Sequence, residues 1–161
     1  MKHIISALVE NKPGVLAHVA GMFAARAFNI DSLVVGRTED PDLSRMTIVV
    51  VGDDRVVEQV RKQLAKIVPV VKVQDFAGKP VVARDLMLIA VSSPSERRPE
   101  ILALIEMFKG KVVDIGPKQL MVEVSGPEAK IEAFIEACKP YGIKSVARTG
   151  TIAMPRQTKE T

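Results

Sequence analysis

The chain of 161 residues has one cysteine, no tryptophan, one tyrosine and two histidines. A single cysteine cannot close an intramolecular disulfide or supply a four-cysteine zinc site, and it suits a reducing compartment. No apolar run approaches the ~18 residues of a transmembrane helix. The start, Met1-Lys2-His3 followed by a short apolar stretch, has neither a long hydrophobic region nor a cleavage site, so it does not read as a signal peptide. The expected location is the cytoplasm. The chain also lacks a G-x-x-x-x-G-K-[ST] phosphate loop, a G-x-G-x-x-G dinucleotide fingerprint and any Ser-His-Asp order. Aromatic residues make up only 4% of the chain, which removes the stacking platforms of most single-strand nucleic-acid binders.

Hydrophobic residues make up 47% and charged residues 26%, a globular composition. With so few rings, the core must be built from Val, Ile, Leu and Ala. The net charge is +4, but the basic residues are scattered. Their densest groups are Arg97-Arg98 and residues 156–159. Scattered charge reads as a solvated surface, with no nucleic-acid partner and no membrane partner expected.

Residues 2–9 are rich in Ile, Leu and Val and read as a strand. Glu10-Asn11-Lys12-Pro13-Gly14 breaks it, and Pro13 suits the first position of a helix, where its missing N–H costs nothing. Val15, Val19, Met22 and Phe23 then recur at helical spacing, with Arg26 next on the same face. Asn29 ends that helix. Residues 30–37 and 45–51 read as strands around the acidic turn Glu39-Asp40-Pro41-Asp42. Asp53 or Asp54 caps a second helix with the face Val57, Val60 and Leu64. Residues 68–76 form a fourth strand, which Pro69 pushes to a sheet edge or delays to Val70.

Residues 77–83, with Gly78 and Pro80, read as a linker. The same order then repeats. Residues 85–91 are a strand. Pro99 lies near the start of a helix with the face Ile101, Leu104, Ile105 and Phe108. Residues 111–115 and 119–124 are strands around Gly116-Pro117. Gly126-Pro127 opens a helix carrying Ile131, Phe134, Ile135 and Cys138, and residues 142–148 are the last strand. The shift that lays Gly52 on Gly126 also lays Val57 on Ile131, Val60 on Phe134 and Leu64 on Cys138. The expected architecture is α+β: two ferredoxin-like βαββαβ domains in tandem, at 1–76 and 84–150, with a tail at 151–161. The strands are apolar on both alternating sets, Ile4 and Leu8 as well as Ile5 and Val9. A second copy of the chain, or packing of the halves on each other, would cover the second face.

Catalytic groups are scarce. His18 reads as a surface or structural histidine, and Cys138, on an apolar helix face, as a buried thiol. Glu39, Asp40 and Asp42 offer a weak cation site or a solvated turn. The informative segment is residues 10–16. The first N–H groups of a helix lack internal partners and carry partial positive charge, so this strand-to-helix junction favours an anion such as a carboxylate. Gly14 has no Cβ and admits close approach. Asn11 offers a donor and acceptors beside it. That pairing suits the carboxylate and ammonium of a free amino acid. The plainer alternative makes Pro13-Gly14 a helix start, Asn11 a cap and Asn29 a helix stop.

Residues 1–76 resemble an ACT domain, a ferredoxin-like module that binds small ligands at subunit interfaces. The runs Leu8-Val9-Glu10-Asn11-Lys12-Pro13-Gly14-Val15-Leu16, Phe28-Asn29-Ile30-Asp31-Ser32-Leu33 and Asp40-Pro41-Asp42-Leu43-Ser44-Arg45-Met46-Thr47 more narrowly resemble the small regulatory subunits of acetolactate synthase. The likeness extends to a second ferredoxin-like half ending in Val146-Ala147-Arg148-Thr149-Gly150. The resemblance implies a chain with no catalytic site or cofactor of its own. It implies a catalytic large-subunit partner carrying thiamine diphosphate, a divalent metal and FAD. It also implies activation of that partner, and feedback inhibition by valine or a related branched-chain amino acid. The implied effector lies between two ACT domains of a homodimer, held by Asn11, Gly14 and Val15 of one subunit and Asn29 and Ile30 of the other. An ACT-type sensor acting on a different metabolic enzyme is the alternative.

Overall fold

Apolar residues at every second position of Lys2–Glu10 commit this segment to a strand, β1, whose Ile5, Ala7 and Val9 are buried against helices. The computed structural model describes residues 1–157. After β1 the chain runs through α1 (Val15–Ala25), β2 (Asn29–Arg37), β3 (Leu43–Val51), α2 (Asp54–Ala65) and β4 (Val70–Asp75). The same order returns as β5 (Val81–Ser92), α3 (Arg98–Met107), β6 (Lys111–Ile115), β7 (Gln119–Gly126), α4 (Glu128–Cys138) and β8 (Ile143–Arg148). A short 3₁₀ turn, Lys139–Tyr141, precedes β8, and a last strand, β9 (Ile152–Pro155), follows it. The sheets have the orders β2-β3-β1-β4 and β6-β7-β5-β8, with β9 added beside β5. Both follow the ferredoxin-like topology. The described residues divide into two units, Met1–Val82 with residues 151–157, and Ala83–Gly150.

In the first unit, β1 and β3 pair antiparallel from Lys2↔Val51 to Glu10↔Leu43. The helix-facing residues Ile5, Ala7, Val9, Met46, Ile48 and Val50 form one core with Val15, Val19, Met22 and Phe23 of α1 and Val57, Val60 and Leu64 of α2. Phe23 meets Phe28 edge-to-face, with ring centroids 5.9 Å apart. Asp53 caps α2, its Oδ1 accepting from the Val56 N–H at 3.0 Å. β4 begins at Val70, after Pro69, and lies on a sheet edge, because proline cannot donate to a ladder. On the opposite face Ser6, Thr47 and Val49 are also buried, and Arg45 Nη1 donates to Ser6 Oγ at 3.0 Å.

In the second unit Met87, Ile89 and Val91 of β5 and Leu120, Val122 and Val124 of β7 meet Ile101, Ile105, Ile131, Phe134 and Cys138. Asp85 is buried and takes Arg148 Nη2 at 2.7 Å and Nε at 3.1 Å, while Arg148 Nη1 reaches Glu132 at 2.6 Å. Burial works against the charge on Arg148. Its bonds to Glu132 and Asp85 outweigh that effect and hold its pKa above the usual guanidinium value.

Four expectations are corrected. Pro13 is not the first helical residue: Gly14, at φ 84° and ψ −10°, is left-handed and caps α1, so the helix starts at Val15. Asn29 does not end that helix. It stops at Ala25, Ala27 turns the chain at φ 52°, and Asn29 opens β2. Residues 81–83 of the expected linker belong to β5, leaving a short turn around Gly78 at φ 69°. The expected tail contains β9, and Arg156 N–H donates to Pro80 O at 3.0 Å. The rest of that tail and of the basic group, residues 158–161, lies outside the described residues.

The matched glycines Gly52 and Gly126 have unequal surroundings. A Cβ on Gly52 would lie 2.8 Å from Val56 Cβ, which is fixed to the first turn of α2. A Cβ on Gly126 would lie 2.6 Å from Lys130 Cδ, which can swing away. Gly52→Ala is therefore expected to lower stability by about 1–3 kcal/mol, the usual cost of overpacking, and Gly126→Ala by much less. Urea melts of the two variants check this; equal midpoints would refute it.

Candidate functional site

The start of α1 is open. No side chain caps it at Gly14, and a Cβ built on Gly14 has nothing within 4 Å. His18 N–H donates to Gly14 O at 3.0 Å, closing the first regular turn. The N–H groups before it, on Leu16 and Ala17, have no intrahelical acceptor, as every helix start requires. Val15 is buried beneath this turn, while Leu16 is 47% exposed. Lys12 lies beside the junction, its Nζ 3.1 Å from Glu10 Oε2 in a largely exposed pair. The junction thus offers free N–H donors, partial positive charge and space, the needs of a carboxylate.

Asn11 is committed on one side. Its N–H donates to Asp42 O at 2.7 Å, and its Nδ2 donates to Pro41 O at 3.1 Å. It therefore fastens the strand–helix loop to the turn between β2 and β3 and does not cap α1. That turn is itself ordered: Asp40 Oδ1 accepts from the Asp42 N–H at 2.9 Å. Glu39, Asp40 and Asp42 are exposed, and no cluster of metal-ligating side chains occurs among the described residues.

Asn29 and Ile30 lie elsewhere. Asn29 pairs with Val51, at the end of β3 opposite Leu43, and Leu43 pairs with Glu10 next to Asn11. β3 has nine residues, so its two ends lie roughly 27 Å apart at the ordinary rise. The structure thus brings Asn11, Gly14 and Val15 together and places Asn29 and Ile30 at the far end of the same sheet. Asn29 is exposed, and Ile30 packs against the core. Sequence reasoning missed two residues. Val35 is 42% exposed and pairs with the core residue Met46, so it shares the helix-side face at the half of the sheet nearer Asn11. Thr38 organises the hairpin turn through its hydroxyl. Only Val35 had a visible signal, its place in an alternating strand.

The second unit ties the same two loops together differently. Ser93 N–H donates to Lys118 O at 2.7 Å, the counterpart of Asn11 to Asp42. Arg98, the first residue of α3, then lays its guanidinium over the junction. Its Nε donates to Ser93 Oγ at 3.1 Å, and its Nη2 reaches Gly116 O at 2.8 Å. The helix start that Gly14 leaves open in the first unit is crossed here by a cation.

Two ferredoxin-like halves, the first with an open glycine helix start beside an asparagine, define a tandem protein of the ACT type. Residues 5–72 match the model of the acetohydroxyacid synthase (AHAS) small subunit-like ACT domain, and residues 84–157 match that of the small subunit of acetolactate synthase. A probable acetolactate synthase small subunit of Archaeoglobus fulgidus is 54% identical over 99% of this chain and 100% of its own length. The acetolactate synthase small subunit of Aquifex aeolicus is 50% identical over 97% of this chain and 82% of its own. The crystal structure of the Thermotoga maritima acetolactate synthase small subunit superposes with a TM-score of 0.90 at 42% identity, covering 98% of this chain and 99% of that one. The chain belongs to the acetolactate synthase small-subunit family.

The chain's thiol is placed for packing. Cys138 is fully buried in the second core, and burial pushes its pKa up to about 11. The thiolate is the nucleophile, so this group is inert at neutral pH. In the unfolded chain the thiol ionises near its ordinary value of 9.0. Between these values the unfolded state holds fewer protons, so stability falls as pH rises from about 9 to 11 and is unaffected by this group below that range. Native protein at pH 7.5 is expected to resist a thiol-reactive dye and to label rapidly in denaturant. Prompt stoichiometric labelling of the native chain would contradict this.

Proposed function

We propose that this chain is the regulatory subunit of an acetolactate synthase. It raises the activity of a separate catalytic subunit and subjects it to feedback inhibition by valine or a related branched-chain amino acid. The thiamine diphosphate, divalent metal and FAD of that reaction reside on the catalytic subunit. The observation that carries the effector site is the open start of α1 at Gly14. The ligand carboxylate meets the N–H groups of the first turn, and Asn11 Oδ1, turned away from the Pro41 carbonyl, accepts from the ammonium. Leu16 and Val35 offer exposed apolar surface for a branched side chain.

Two copies complete the site. β2 is an edge strand. Antiparallel pairing of β2 with its own copy is isologous and reverses the second sheet, carrying the partner's Asn29 toward Asn11. α2 packs over β1 and β4, which leaves α1 on the β2 side. The outward positions of α1 include Ala17, Ala20, Gly21 and Ala24, all exposed, with open space over Gly21. Small uncharged side chains allow a second helix to approach. α2, in contrast, exposes Arg55, Glu58, Arg61 and Lys62.

Acetolactate formation by the reconstituted enzyme over an L-valine titration tests the site. Gly14→Asp places a carboxylate against the ligand's own, and at ~4 Å that repulsion costs about 1–4 kcal/mol, roughly a 5- to 1,000-fold loss of affinity. Gly14 is not inside the first turn but at a left-handed position, so any side chain there also costs about 1 kcal/mol. Gly14→Asn carries the same backbone cost without the charge and is expected to retain more of the response. A Gly14→Asp curve that overlays wild type removes this loop from the effector site.

Light scattering tests the assembly: the wild type is expected to be dimeric at micromolar concentration. Ala20→Arg is expected to shift it toward monomer and weaken inhibition. An unshifted dimer with an unchanged valine curve would place the interface elsewhere.

A further inference from the structure

The turn between β2 and β3 is held in one shape by a chain of hydrogen bonds centred on Thr38. Its Oγ1 lies 3.0 Å from Asp40 O and 3.1 Å from Leu43 O, and its proton serves one of these carbonyls at a time. The same oxygen accepts from the Asp40 N–H at 3.2 Å. Asp40 Oδ1 accepts from the Asp42 N–H, and Leu43 N–H donates back to Asp40 O at 3.1 Å. Thr38 N–H donates to Leu43 O at 3.0 Å. These bonds leave the Pro41 and Asp42 carbonyls turned toward the end of β1, where both are taken by Asn11.

This arrangement decides which polar atom Asn11 presents. A side-chain amide has a donor on one side and an acceptor on the other, and a half-turn about its last bond exchanges them. The Pro41 carbonyl accepts only a donor, so Nδ2 faces the turn and Oδ1 faces away. If the turn relaxes, that preference is lost, and with it the acceptor that Asn11 offers to the ligand's ammonium.

We propose that Thr38 is a positioning residue for the effector site: through the Pro41 and Asp42 carbonyls it sets the orientation of Asn11, without touching the ligand. The inference rests on the reading of the Asn11–Gly14 loop as that site. The hydroxyl's bonds with Asp40 are exposed and its bond to Leu43 O is partly buried, and the Thr38 N–H still donates to Leu43 O when the hydroxyl is gone, so its removal leaves the fold intact.

The test uses the reconstituted holoenzyme and L-valine, with L-leucine and L-isoleucine run in parallel. Thr38→Val removes the hydroxyl and keeps the shape. It is expected to raise the half-inhibitory valine concentration roughly five- to thirty-fold, the scale of one well-placed hydrogen bond. Thr38→Ser is expected to restore the wild-type curve. In an Asn11→Ala background Thr38→Val should add nothing, because both changes remove the same interaction. A Thr38→Val curve that overlays wild type while Gly14→Asp abolishes inhibition would overturn the positioning role and leave the site standing. An equal shift with and without Asn11 would also overturn it, since a general loosening of the hairpin acts that way. If neither Gly14→Asp nor Thr38→Val alters the response, the effector site itself is wrong and the positioning role falls with it.

Discussion

The ladder between β1 and β3 is the constraint on which the first unit depends. Its pairs run without a bulge from Lys2↔Val51 to Glu10↔Leu43. A slip of one residue would exchange Ile5, Ala7 and Val9 for Ile4, Ser6 and Leu8 on the helix side, placing the Ser6 hydroxyl in the core. The same register carries the pairing one step beyond the strands. Asn11 falls opposite Asp42, and its N–H and side chain both close on the turn. Core burial and the geometry of the candidate site are therefore set by one alignment. Burial enforces it energetically, and the site inherits its accuracy at little further cost.

The two units apply one topology to different ends. Each joins its first strand–helix loop to its first hairpin turn by a backbone bond, Asn11 to Asp42 and Ser93 to Lys118. Beyond that bond they diverge. A left-handed glycine with no neighbour leaves the start of α1 exposed. Arg98 spans the start of α3 and satisfies carbonyls on both loops. A helix start needs partners for its first N–H groups. The first unit leaves that need to water or a ligand, whereas in the second the Arg98 guanidinium, itself only a donor, lies across the junction bonded to loop carbonyls and makes it unfavourable for a second cation rather than pairing the N–H groups.

Much of this was legible in the residues. The spacing of Val57, Val60 and Leu64, and of Ile131, Phe134 and Cys138, identifies the buried faces of α2 and α4. Pro69 marks both the late start of β4 and its edge position. The ends of α1 were read wrongly from ordinary signals. Pro13 is a good first helical residue and Asn29 a good stop, but the backbone had already turned left-handed at Gly14 and Ala27. Local preferences rank such positions, and packing of Val15 and Phe23 into the core selects among them. β9 was missed for another reason: its four residues gain their order from β5, far away in the chain.

By itself the sequence determined the order of the elements up to β8, the repeat, the faces that are buried and the family, since each is written in local spacing or in contiguous runs such as Asn29-Ile30-Asp31-Ser32-Leu33. Only the tertiary structure decided which candidate residues stand together. Asn11 and Gly14 share one end of the sheet and Asn29 the other, because strand direction and register fix distance while sequence separation does not. The same holds for Thr38 and Asn11, whose coupling exists only because antiparallel pairing folds the hairpin turn back beside the end of β1.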